Sequence, residues 1–97
     1  MNNESYFKTD LFGNKYWYED RLLHRLDGPA VEYCDGEKSW YKHGKLHRLD
    51  GPAITYNGCD GEWYKDGFFF ENKHDFFESL TDEEKAIALF SEDFLNG

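Results

Sequence analysis

His24-Arg25-Leu26-Asp27-Gly28-Pro29-Ala30 recurs letter for letter as His47-Arg48-Leu49-Asp50-Gly51-Pro52-Ala53, an offset of 23 residues. The same offset joins Trp17-Tyr18, Trp40-Tyr41 and Trp63-Tyr64, and it aligns Gly44 with Gly67, Val31 with Ile54 and Tyr33 with Tyr56. A seven-residue identity in step with three Trp-Tyr pairs marks an internal repeat. A repeat of this length is one supersecondary unit that buries its apolar face only against its neighbours. The units run over residues 17–39 and 40–62, with a partial third copy over residues 63–70.

Each unit reads as β structure. Trp-Tyr favours a strand. Lys42-His43-Gly44-Lys45 and Lys65-Asp66-Gly67 are tight-turn signals, with glycine taking positive φ. The first copy has Glu19-Asp20-Arg21 there, which predicts a looser turn or one of another type. Asp-Gly-Pro is a second turn signal, in which glycine is expected to supply left-handed geometry. Asp35-Gly36, Asn57-Gly58 and Asp60-Gly61 are expected to close hairpins. The pattern predicts a mainly β fold: a single-layer, twisted antiparallel meander with about two strands per repeat.

The repeat resembles the MORN-like repeat proteins, in the variant carrying Trp-Tyr-x-x-Gly-x-x-His-Arg-x-Asp-Gly-Pro-Ala. The resemblance covers about residues 16–70. It is closest over residues 40–53, departs at Arg21 in the first copy, and fails after Phe70, where the third His-Arg-x-Asp-Gly-Pro-Ala is missing. Such arrays occur in uncharacterised proteins of bacteriophages, large DNA viruses and bacteria, some of the bacterial ones labelled as antitoxins. The resemblance implies a solenoid-like β-meander used as an interaction surface, and it carries no shared catalytic residues.

From Glu71 the composition changes. His74-Asp75-Phe76-Phe77-Glu78-Ser79-Leu80 suits a short helix. Thr81-Asp82-Glu83-Glu84 has the form of a capping box, and three acids in a first turn suit the helix dipole. Ile87, Phe90 and Phe94, widened by Ala86 and Leu89, form an apolar stripe. These features predict one helix over about residues 82–95 that caps the array, with Phe76, Phe77, Phe90 and Phe94 against the sheet. The chain is read as a single domain over 1–97. Residues 1–16 form an N-terminal strand or cap, 17–70 the β-repeats and 71–97 the helical cap.

Twenty acidic residues against eleven basic ones give a net charge of -9, and aromatics make up 20% of the chain. Residues 71–97 hold eight of the acids and two of the bases, so most of the excess lies there. This charge argues against direct binding of nucleic acid, which needs cations to displace counterions from phosphates. It argues equally against an anionic membrane surface. No apolar run approaches about 18 residues, and the first residues lack the pattern of a signal peptide, so a cytoplasmic location is expected, the host's if the chain is phage-encoded. Cys34 and Cys59 sit at non-equivalent repeat positions and read as two ordinary thiols rather than a disulfide.

His24, Arg25 and Asp27, repeated as His47, Arg48 and Asp50, resemble a catalytic set. Repetition implies a structural need instead: the Asp residues fix turns, and the Arg residues bridge carboxylates or carbonyls and stack on aromatics. With Gly28, Pro29, Gly51 and Pro52 they are assigned as the structural motif, and Trp17, Trp40 and Trp63 as the core ladder. No catalytic residue, cofactor or metal site is expected. The candidate interaction residues are Tyr18, Tyr41 and Tyr64, with Phe68 and Phe70, where Phe69 opposes its neighbours. The acids Asp82, Glu83, Glu84, Glu92 and Asp93 are added to them. The expected function is a non-enzymatic protein-interaction module, phage- or mobile-element-encoded, that inhibits or neutralises a host defence factor or toxin. Two alternatives stand beside it. One is a nucleic-acid mimic using those acids with Glu78. The other is a nucleotide or sugar binder with an aromatic groove near His43, His47 or His74. The partner is expected to be a protein, basic if the acids steer it, and homodimerisation is an open option.

Overall fold

Each Trp-Tyr pair lies in an extended segment that runs straight into a two-residue turn. A computed structural model describes residues 5–57 and 59–96, without the side chains of residues 59, 60, 93 and 96. The segments are β1 (Ser5–Thr9), β2 (Lys15–Glu19), β3 (Leu22–Leu23), β4 (Val31–Glu32), β5 (Lys38–Ser39), β6 (Tyr41–Lys42), β7 (Lys45–Leu46), β8 (Ile54–Tyr56), β9 (Cys59–Lys65) and β10 (Phe68–Phe70). All pairings are antiparallel. One sheet runs β1-β2-β4-β5-β8-β9-β10 with β3 on β2, and β6 and β7 form a separate hairpin. The fold is therefore mainly β, with a helical segment after the strands.

Repeats contribute three strand segments rather than the expected two. In the first two copies the Trp-Tyr strand pairs through its first half with the following Val31 or Ile54 strand, and in all three it pairs through its second half with its own hairpin partner. In the middle copy the strand is split at Trp40 into β5 and β6. The backbone hydrogen bonds within and between units recur at the repeat offset. Ala30 N–H donates to Ser39 and Ala53 N–H to Glu62. Arg25 N–H donates to Tyr41 and Arg48 N–H to Tyr64. Gly44 N–H donates to Leu23 and Gly67 N–H to Leu46.

The three hairpin turns share one geometry. His43 and Gly44 have φ of 50° and 81°, and Asp66 and Gly67 have 50° and 86°. Two central residues at positive φ suit the twist of a two-residue hairpin. The first copy is not looser, as its sequence suggested: Asp20 and Arg21 take φ of 51° and 69°. Neighbouring units impose the turn even on a side chain that disfavours it. By contrast, Gly28 and Gly51 are not among the positive-φ residues, so their role is not left-handed geometry. Nor does Asp60-Gly61 make a turn, since both lie inside β9.

The helical part is three short helices, not one over 82–95: α1 (Lys73–Glu78), α2 (Asp82–Leu89) and α3 (Glu92–Asn96). The capping box at Thr81 and Glu84 is formed. The helix ends at Phe90, and Ser91 Oγ accepts the Phe94 N–H at 3.4 Å, which starts α3. The break redistributes the apolar stripe. Ala88 and Phe94 are buried, whereas Ile87 and Leu89 are half exposed and Phe90 is 91% exposed. The apolar core is Trp63, Phe76, Leu80, Ala88 and Phe94, with Leu49, Phe70 and Phe77 against it. Only the third Trp of the ladder is buried in it. Among the described residues no helix is long and apolar enough to cross a membrane.

Arg21→Gly is expected to stabilise the fold by about 0.5–1 kcal/mol. It relieves a left-handed strain of about 1–2 kcal/mol, less the entropy that glycine returns to the unfolded chain. Urea unfolding checks this, and a lower midpoint for the variant would contradict it.

Candidate interaction surface

The repeated motif builds one constellation twice. The Arg25 guanidinium lies 3.9 Å from the Trp17 ring centroid and that of Arg48 3.8 Å from Trp40. Arg25 Nε donates to Asp27 at 2.9 Å and Arg48 Nε to Asp50 at 2.8 Å. The Arg25 Nη1 donates to the Pro29 carbonyl, and that of Arg48 to Pro52, both at 3.1 Å. Arg25 also reaches Glu32 at 3.1 Å. The glycines complete the clamp. A Cβ on Gly51 would lie 2.6 Å from Arg48 Cζ, and one on Gly28 3.0 Å from Arg25 Cζ. Glycine is needed here for space: the guanidinium is held between indole and backbone. Asp27 is held below the usual carboxylate range by its hydrogen bond to Arg25.

The histidines join one unit to the next. His24 Nδ1 accepts the His43 backbone N–H at 2.9 Å, and His47 Nδ1 accepts the Asp66 N–H at 3.0 Å. In neutral imidazole an accepting Nδ1 places the hydrogen on Nε2. This bears on the cluster of Glu19, His24 and His43, whose potential ligand atoms lie within 4.8 Å of one another. His24 would have to ligate through Nε2, which carries the hydrogen while Nδ1 holds the turn. The neighbouring interface has Lys42 and Asp66 in place of Glu19 and His43 and keeps the same histidine bond. The histidine is thus explained by the turn, and the donor set is a poor fit to a metal.

The two sheet faces differ in kind. Register places Tyr6 opposite Tyr18, Tyr16 opposite Val31, Val31 opposite Ser39, Ser39 opposite Ile54, Ile54 opposite Glu62, and Tyr64 opposite Phe69. Side chains two apart on a strand share a face. Tyr6, Tyr16, Tyr18, Tyr33, Tyr41, Tyr56 and Tyr64, all seven tyrosines of the chain, therefore fall on one face. Trp17, Trp40 and Trp63 fall on the other. Tyr6 and Tyr18 stack at 5.1 Å, and Tyr64 meets Phe69 at 5.4 Å. The helices pack on the Trp face, where Trp63 meets Phe76 at 5.0 Å and Lys65 Nζ bonds Glu84 at 2.7 Å.

Carboxylates are woven into the tyrosine face. Tyr16 Oη donates to Asp10 at 3.0 Å, and Tyr56 and Tyr64 donate to Glu62 at 2.6 and 3.3 Å. The bond to Glu62 pushes the Tyr56 phenol up to about 12. Burial raises Tyr33 and Tyr64, and nearby Glu37, Asp35 and Glu62 add to it. Tyr16, Tyr56 and Tyr64 are therefore phenol donors to carboxylates on this face.

The candidate residues are distributed over both faces. Tyr18, Tyr41 and Tyr64 are half-buried on the tyrosine face, together with four tyrosines that the Trp-Tyr pairs did not reveal. Tyr16, next to Trp17 on one strand, was legible by alternation, and the others depend on register across strands. Phe70 packs on Phe76 at 5.7 Å, while Phe68 on the same face is 71% exposed. Asp82 and Glu83 are exposed in the first turn of α2, and Glu92 lies on α3. Glu84 instead accepts the Thr81 N–H and pairs with Lys65, which holds it below its ordinary range. The Asp93 side chain lies outside the described residues, as does that of Cys59, so the reading of the cysteine pair cannot be placed. Cys34 carries a free, exposed thiol. A groove of about 520 Å³ is lined by Arg25, Asp27, Trp40, His47, Arg48 and Ile87. No family model, curated protein or solved structure matches the chain.

His47 gives a stability dependence on pH. Burial lowers its pKa; Asp66 and Glu84 oppose this, and Lys42 and Lys65 reinforce it. The unfolded chain then binds the proton first, near the ordinary value of about 6.5. Stability is fully present above that value and is lost as pH falls through the window below it, down to the lowered folded value. His47→Asn keeps an acceptor at the position of Nδ1 for the Asp66 N–H but removes the titration. Urea unfolding at pH 7.5 and 5.5 is expected to show a smaller loss in the variant than in the parent. Equal losses would contradict the assignment.

Proposed function

We propose that the chain is a non-enzymatic protein-interaction module that works through its tyrosine face. The observation that carries this is the gathering of all seven tyrosines on the sheet face opposite the helical cap. Tyrosine offers a large rigid contact area with a polar tip, the composition favoured at the centres of binding surfaces. The histidines and arginines of the repeat hold turns and stack on indoles, which accounts for their recurrence without a reaction. The likeness of the motif to MORN-like arrays supports the same reading, and with it a role in binding and neutralising a protein such as a toxin or defence factor.

Affinity capture from cell lysate, followed by mass spectrometry, tests this with two baits: the parent and a Tyr33→Ser, Tyr56→Ser double variant. Both positions are only partly buried, so the variant is expected to keep its fold by circular dichroism. A stoichiometric partner held by the parent and lost by the variant is the expected result. A partner retained equally by both, or none for either, would overturn the reading.

A further inference from the structure

The two faces also differ in charge. Strand alternation places Lys15, Lys38, Lys42, Lys45 and Lys65 on the Trp face with Arg25 and Arg48, where Glu32, Asp27, Asp50 and Glu84 pair with several of them. The tyrosine face carries Asp10 and Glu62 bonded to phenols, with Asp35 and Glu37 close enough to act on Tyr33. The strand cation on this face is Lys8, whose Nζ lies 5.6 Å over the Tyr6 ring. Aromatic rings interleaved with carboxylates attract cations twice, through the ring quadrupole and through charge. Lys8 over Tyr6 is that interaction already made within the chain at one edge of the face.

We infer that the tyrosine face takes a basic peptide segment of its protein partner. Lys or Arg head groups lie over Tyr33, Tyr41 and Tyr56 and pair with Glu37 and Glu62. This rests on the proposed interaction role and specifies the chemistry of the partner. Arginine suits such a site best, because its planar guanidinium stacks on a ring while its edge donates to a carboxylate. The repeat already combines those two contacts on its other face, where Arg48 stacks on Trp40 and bonds Asp50. Tyr33 and Tyr56 each stand two residues beyond Val31 and Ile54, which both lie opposite Ser39, so a segment crossing the strands at that level would meet both, with Glu37 between them.

Nona-arginine is the probe, with nona-glutamate as the opposite-charge control, titrated into the full chain by calorimetry at 50 and 300 mM salt. Binding of nona-arginine alone, weakened by salt, is expected. Two double variants separate the face from the net charge. Tyr33→Ser with Glu62→Gln is expected to weaken binding by about tenfold or more. Asp82→Asn with Glu83→Gln removes two charges from α2, against the one lost with Glu62, and is expected to change it by less than about twofold. Circular dichroism and urea unfolding establish that both variants fold. Absence of nona-arginine binding, or an equal or larger loss in the α2 variant, would overturn the inference. If the lysate capture still yields a partner dependent on Tyr33 and Tyr56, the interaction role stands and only the basic chemistry falls.

Discussion

A guanidinium held between an indole and a glycine backbone is the contact on which the two complete repeats depend. Arg25 and Arg48 each cover a Trp face that a sheet this narrow cannot bury in a second apolar layer. The ring attracts the cation, the Asp two residues on fixes its orientation, and the Pro carbonyl takes another donor. The absent Cβ of Gly28 or Gly51 leaves the space for it. The His, Arg, Asp and Gly of the recurring motif thus each have a contact that explains them, and Ala30 and Ala53 are wholly buried. Leu separates the copies: Leu26 is 80% exposed, whereas Leu49 packs against the core beside the cap.

The same constraint explains the helices. The third Trp has no arginine, because the chain leaves the repeat after Phe70. Phe76 and Phe94 take that place, at 5.0 and 5.7 Å from Trp63. The apolar core therefore lies at one end of the array instead of running along it. At the other end Phe7 covers Trp17 at 4.7 Å from β1. The array is closed by aromatics at both ends and by arginines between.

The sequence carried the periodic and local parts of this structure plainly. The offset of 23 placed the Trp-Tyr strands and the turns, and Thr81-Asp-Glu-Glu84 marked a helix start. Features set by neighbours were less legible. The turn at Asp20-Arg21 follows its equivalents because Leu23 and His24 must meet the next unit's turn at Gly44 and His43. The spacing of Ile87, Phe90 and Phe94 fits one continuous helix, but the chain reaches Phe94 only after turning at Ser91. Ser91 followed by Glu92 and Asp93 was the N-cap signal for that break. The glycines of Gly-Pro read as turn formers, because nothing local shows an arginine lying over them. The tyrosine face was half visible: the Trp-Tyr pairs showed three of its members, alternation gave Tyr16, and the others depend on register across strands.

The division of labour between faces follows from this construction. The Trp face makes the fold, through arginine stacking and the cap, and in the proposed reading the tyrosine face is the one left for contact with a partner. The most direct test of the account is a double-mutant cycle on Trp40 and Arg48, using Trp40→Leu and Arg48→Met with stability read by urea unfolding. If the stacked pair supports the array, the two substitutions are coupled by about 1 kcal/mol or more. Effects that add to within about 0.3–0.5 kcal/mol would contradict the central role of the clamp.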